Sequence, residues 1–151
     1  MSENPAHENV LNAKNRFRLD MSALRDPRSN YRVKAIKALS YYHDNETYRT
    51  ILHCTDDRDP EVRLLAVKCI REYSNSSKTS QLEKIMFFDT VNDIRLAAAQ
   101  AITNTDSPSV SRYIIAVLQT AITKVEEEKK VALSNDLKTV LKNFITDNAA
   151  I

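Results

Sequence analysis

The sequence predicts an all-α chain, a solenoid of about four antiparallel helix pairs with atypical terminal units. Three observations lead there. The stretch from Asp57 to Ile70 carries a skeleton of aspartate, five residues, arginine, then small and aliphatic residues at helical offsets. The same skeleton occurs 31 residues earlier and 32 residues later. Such a period marks a repeat architecture, in which each unit is too small to bury its own apolar face and neighbours stack to share one elongated core. Between the polar breaks, apolar residues recur at three- and four-residue spacing, the helical period. Glycine is absent from all 151 residues, which removes most primed hairpin turns and favours helices joined by Asn, Asp, Ser and Pro.

Taken in order, residues 1–7 are expected to form a flexible tail and residues 8–148 a single domain, with units at about 8–43, 44–75, 78–104 and 107–148. From Glu8 to Leu24, the spacing of Val10, Ala13, Phe17, Met21 and Leu24 predicts a first, capping helix. Asp26-Pro27 ends it, because proline disfavours helix in the residue before it. Tyr31, Ala35, Ala38, Leu39 and Tyr42 then share a face, and Asp44 offers an N-cap to the next helix. The second unit places Tyr48, Ile51 and Leu52 on one helix. Its turn has Asp59 as cap and Pro60 at the first helical position, before Val62, Ala66, Cys69 and Ile70 on the next helix.

The third unit repeats this with Leu82, Ile85 and Met86, a turn at Asp89, then Ile94, Ala98, Ala101 and Ile102; Thr90 with Asp93 resembles a capping box. Ser107-Pro108 reads as a cap and first residue for a helix bearing Val110, Ile114, Val117, Leu118 and Ile122. A charged stretch from Lys124 to Lys130 follows, where Glu126 and Lys130 are spaced to support an exposed helix. A last amphipathic helix with Leu137, Val140, Leu141 and Phe144 is expected to be capped at Ser134 or Asn135.

Six columns align across three units. They are Asp26, Asp57, Asp89; Tyr31, Val62, Ile94; Arg32, Arg63, Arg95; Ala35, Ala66, Ala98; Ala38, Cys69, Ala101; and Leu39, Ile70, Ile102. The segments DPRSNYRVKAIKAL, DDRDPEVRLLAVKCI and DTVNDIRLAAAQAI resemble the HEAT repeat, in the short form of phycobilisome-lyase-type proteins. The resemblance covers about residues 11–145 and implies a right-handed stack of helix pairs. It departs from that family in lacking glycines at unit ends. The matched Asp26, Arg32, Asp57, Arg63, Asp89 and Arg95 are expected to be structural, satisfying backbone groups at the turns or bridging to the neighbouring unit.

Composition narrows function. Without glycine there is no phosphate-cradling loop, dinucleotide fingerprint or nucleophile elbow. Twenty-two Lys and Arg against 20 Asp and Glu leave a net charge of +2, low for a dedicated duplex binder. Cys54 and Cys69 lie in helical patterns as reduced, buried thiols. His7, His43 and His53 show no metal-ligand spacing with them, so no metal site, cofactor or catalytic group is expected. The polar, acidic N-terminus and the lack of an 18-residue apolar run point to a cytoplasmic protein without membrane contact.

In stacks of this kind the second helix of each pair lines the concave side. The positions there not used by the core include Lys34, Lys37 and Tyr41, then Leu65, Lys68, Arg71 and Glu72, then Ala97 and Gln100. They form a groove that is basic over the first two units and fades toward the third. Tyr41 is the exposed anchor candidate, whereas Tyr31, Tyr48 and Tyr113 occupy core-type positions. The expectation is a non-enzymatic scaffold or adaptor that binds another protein through this surface. A bilin lyase or lyase accessory, implied only by the resemblance, and a nucleic-acid-binding module are the alternatives.

Overall fold

The computed structural model describes residues 5–148. They form eight α-helices and no strand. The helices are α1 (Pro5–Ala23), α2 (Ser29–Leu39), α3 (Asn45–Cys54), α4 (Pro60–Ile70), α5 (Thr79–Phe88), α6 (Asn92–Ile102), α7 (Ser111–Glu127) and α8 (Val131–Asn148). Short 3-10 turns at Ser76–Lys78 and Pro108–Val110 precede α5 and α7. Each odd-numbered helix packs against the even-numbered helix that follows it. Between units, α4 packs on both α2 and α6, and α6 packs on α8, so the even helices form one continuous layer. The odd helices are more loosely joined: α5 meets α7, but α1 and α3 scarcely touch.

The shared core runs the length of the stack. Ile36, Leu39, Ile51, Val62, Ile70, Leu82, Ile94, Ile102, Ile114 and Leu118 are all fully buried. Each such side chain contributes about 1.5–3 kcal/mol relative to an exposed one. The alanine column is equally dry, with Ala35, Ala66 and Ala98 buried where a larger residue would hold the helices apart.

Helix ends show how a chain without glycine terminates its helices. Ser40, Thr55 and Thr103 follow α2, α3 and α6, and each hydroxyl donates to the carbonyl three residues back: Lys37 at 2.6 Å, Leu52 at 2.6 Å and Gln100 at 2.7 Å. These bonds satisfy carbonyls that lie beyond the intrahelical ladder. After α4 the role falls to a lysine. Lys78 is fully buried, and its ammonium donates to the carbonyls of Ile70, at 3.4 Å, and Tyr73. Burial pulls its pKa down to about 8.

Among the described residues, only the one after Glu128 at the end of α7 is left-handed. Lys129 has φ 62°, its N–H donates to Glu126, and the Lys130 N–H donates to Val125. This is the Schellman arrangement, with lysine where glycine is usual. Lys129→Gly is therefore expected to raise stability by about 1 kcal/mol, since the left-handed conformation costs a residue with a Cβ. A higher urea midpoint than wild type is the readout; an unchanged or lower one counts against the assignment.

Several boundaries differ from the sequence expectation. α1 begins at Pro5, so residues 5–7 are helical rather than tail, and residues 1–4 lie outside the described residues. Asp44 and Asp59 do cap α3 and α4, accepting from the N–H of Thr47 and Glu61 at 2.8 Å each. The Thr90–Asp93 capping box does not form; Val91 occupies the cap position, and its N–H donates to Asp89 at 2.9 Å. Pro108 opens a 3-10 turn, and Ser107 makes no side-chain cap. α8 begins at Val131, which leaves Ser134 buried inside it, its hydroxyl 3.3 Å from Glu126. Glu126 pairs with Lys138 at 2.8 Å and not with Lys130.

Tyr48 is buried, but Tyr31 and Tyr113 are exposed. Val62 and Ile94 in the Tyr31 column are fully buried, on helices that pack against the even helix of the preceding unit, whereas among the described residues α2 has no such neighbour before it. The Arg28 guanidinium sits 3.6 Å from the Tyr31 ring centre, while Tyr113 hydrogen-bonds Glu83 at the rim of the α7 stripe.

Candidate functional site

The charged residues nearest the turns are committed to one another. Each repeat arginine reaches forward to the acidic residue of the next unit's turn. Arg32 binds Asp57 through two bonds of 2.9 and 3.0 Å, and Arg63 binds Asp89 at 3.0 and 3.3 Å. Arg95 binds Glu128 at 2.7 Å. The same guanidiniums satisfy backbone: Arg32 donates to the carbonyls of Asp26 and Pro27, Arg63 to those of Asp57 and Arg58, and Arg95 to those of Met86 and Phe87. Each aspartate also caps its own turn, Asp26, Asp57 and Asp89 accepting from the N–H two residues on at 2.9 Å. Asp26 meets no repeat arginine of another unit among the described residues and pairs within its turn with Arg28, whose hydrogen bonds hold its carboxyl down at about 2.

Burial pushes the Asp57 carboxyl up, but the bonds from Arg32 and from the Asp59 N–H outweigh it, and the net shift is downward. The bond from Arg95 holds Glu128 below its ordinary value. Carboxyls depressed in the folded state contribute stability that is complete above the unfolded value near 4 and is lost as pH falls through the folded values. The urea midpoint is therefore expected to fall as pH drops from about 5 to 3. Asp57→Asn should lower the midpoint at pH 7 and flatten that fall; an unaltered pH slope would show that this bridge does not couple folding to protons.

The residues singled out on the even helices occupy a different surface. Lys34 and Lys37 on α2, Lys68 on α4, and Arg71 and Glu72 just beyond α4 are exposed. Tyr41 is 84% exposed. Leu65 is half-buried against the core, and Ala97 is buried, so neither is a free groove position. Arg71 and Gln100 come together in a cleft of about 510 Å³ between α6 and α8, facing Asp136, Thr139, Asn143 and Asp147. Glu72 joins them in an adjoining cleft of about 400 Å³ with Thr103 and Asn104. Lys34, Lys37, Lys68 and Tyr41 line neither cleft. The even layer thus presents lysines at its first two helices and carboxylates at its last. Asp136 and Asp147 escaped the sequence reading because the fourth unit lacks the repeat register that locates groove positions in the others.

Both cysteines are half-buried and unpaired. Burial, then the Asp57 charge, pushes Cys54 up to about 11, and burial raises Cys69. Thiols so shifted are poor nucleophiles at neutral pH. Among the described residues no three His, Cys, Asp or Glu side chains gather as a metal-holding group, and no helix is long and apolar enough to cross a membrane.

Residues 21–103, from the end of α1 through α6, match a family model of HEAT repeats. No curated protein matches the chain.

Proposed function

The chain belongs to the HEAT-repeat family, whose members generally mediate protein–protein interaction and are typically non-catalytic, and we propose that it is a non-enzymatic scaffold or adaptor holding a partner protein on its even-helix face. The observation that carries this is the contrast between two sets of charges. The repeat Asp and Arg residues are consumed by the turns. Lys34, Lys37, Lys68 and Arg71 are exposed, and no ion pair among the described residues engages them. Lysines held on a rigid helical layer favour a partner with an acidic patch, attracting it before contact and fixing its orientation. Unpaired Cys54 and Cys69 fit a reducing cytoplasm. The finer likeness to phycobilisome-lyase-type repeats rests on the sequence resemblance alone, and with it the bilin-lyase alternative.

The test is affinity capture from cells of the native organism with wild type and with K34E/K37E/K68E. At least one specific partner should be retained by wild type and lost, or weakened about tenfold or more, in the triple variant. Identical partner sets for both proteins overturn the even-helix reading. A salt-dependent shift of nucleic acid that disappears in the variant would put a nucleic acid in the partner's place.

A further inference from the structure

We propose a second binding site on the opposite layer: the groove between α1 and α3 takes an acidic amphipathic segment of a partner protein. It goes beyond the even-helix reading and does not depend on it. Because α1 and α3 scarcely touch, two clefts of about 900 and 610 Å³ open beside α1, and Arg18, Met21 and Glu46 line both. From Ala13 to the end of α1 at Ala23 the groove follows the helix for about 15 Å at 1.5 Å per residue, nearly the length of a three-turn helix, and Arg25 extends it past the helix end. Its α1 side has apolar Phe17, Met21 and Leu24 at helical spacing, half-buried and packed against the core. Such a stripe matches the i, i+4, i+7 anchors of a helix laid in a groove.

Charge selects the occupant. Lys14, Arg18 and Arg25 on or just beyond α1, with Arg49 on α3, line the clefts, are exposed, and form no ion pair among the described residues. Of the lining carboxylates, Asp44 caps α3, Asp57 is bound by Arg32, and Asp56 lies 3.6 Å from Lys84. Asp44 keeps its charge as a cap and Glu46 is unpaired, so four cations face two carboxylates that have no cationic partner among the described residues. Arginines suit carboxylates because the guanidinium fork binds them bidentately. A nucleic acid fits less well. Phe17 and Tyr42, the Phe and Tyr rings that line the clefts, are both half-buried and already in edge contact with each other at 5.0 Å, which leaves less of either ring for a base to stack on.

The experiment is selection of a random 12-residue peptide library on the full chain, followed by titration of the winning peptides. Enriched sequences should be acidic, with apolar residues at i and i+4, and should gain helicity on binding. R18E/R49E, two exposed positions, should weaken them at least tenfold with the circular dichroism of the free protein unchanged, while K34E/K37E should leave them unaffected. No enrichment, enrichment of neutral or basic sequences, or binding indifferent to R18E/R49E overturns the site. Loss in K34E/K37E instead would move the peptide to the even-helix face, rejecting this groove while supporting that reading.

Discussion

Arg95→Ala is expected to destabilise the fold by about 3–5 kcal/mol. Arg95 is 1% exposed and is the largest fully buried side chain. Its guanidinium ties α6 to two other elements: the end of α5 through the Met86 carbonyl at 2.8 Å and the Phe87 carbonyl at 3.5 Å, and the turn after α7 through Glu128 at 2.7 Å. Truncation to alanine opens a cavity inside a close-packed layer and orphans the Met86 carbonyl, each a separate cost. Phe87 suffers less because Lys124 also donates to its carbonyl. Glu128 is about one-third exposed and can rehydrate, so Glu128→Gln should cost nearer 1 kcal/mol.

The loss should also be uneven along the chain. Arg95 helps fasten the last unit to the third, and in a stacked array stability is roughly a sum of unit and interface terms. Amide exchange in α7 and α8 should therefore accelerate more than exchange in α3 and α4. A loss below about 1 kcal/mol, or uniform acceleration, would mean that Arg95 is replaceable by water.

The Arg95–Glu128 bridge marks the limit of what the sequence disclosed. The aspartate and arginine columns stand out because they recur, and the caps at Asp44 and Asp59 are local enough to read from neighbouring residues. The acceptor for Arg95 is a glutamate in a unit without the repeat skeleton. Its separation explains the miss. The first two bridges span 25 and 26 residues and the third spans 33. The seven extra residues correspond to the difference between α7, with 17 residues, and α5, with 10. Seven residues are close to two helical turns, so the phase is kept while the linear spacing is lost. Likewise, the helix identity of the segment 131–134 was hidden by the charged run before it. The α1–α3 groove had no linear signature at all, because its cations come from two helices that share no motif and meet only when the units stack.

Ala98→Leu should be nearly as damaging, at about 3 kcal/mol, for the opposite reason. Ala98 is fully buried, with Ala97, Ala99 and Ala101 of the same helix also buried. α6 is held by α5, α4 and α8, so it has partners on several sides and little room to shift. The added carbons must then force strained rotamers or move helices that the Arg63–Asp89 and Arg95–Glu128 bridges pin in place. Ala35 occupies the same column, 2% exposed, but its helix packs mainly on α1 and α4. With fewer main packing partners than α6, α2 has more freedom to shift, and Ala35→Leu should cost less, about 1–2 kcal/mol. Ala116→Leu on the exposed face of α7 should change stability by no more than about 0.5 kcal/mol. Urea unfolding of the three variants tests the ordering. Equal losses at positions 35 and 98 would indicate that local crowding alone sets the cost, whereas a clear excess at 98 is what a stack clamped on both sides of α6 requires.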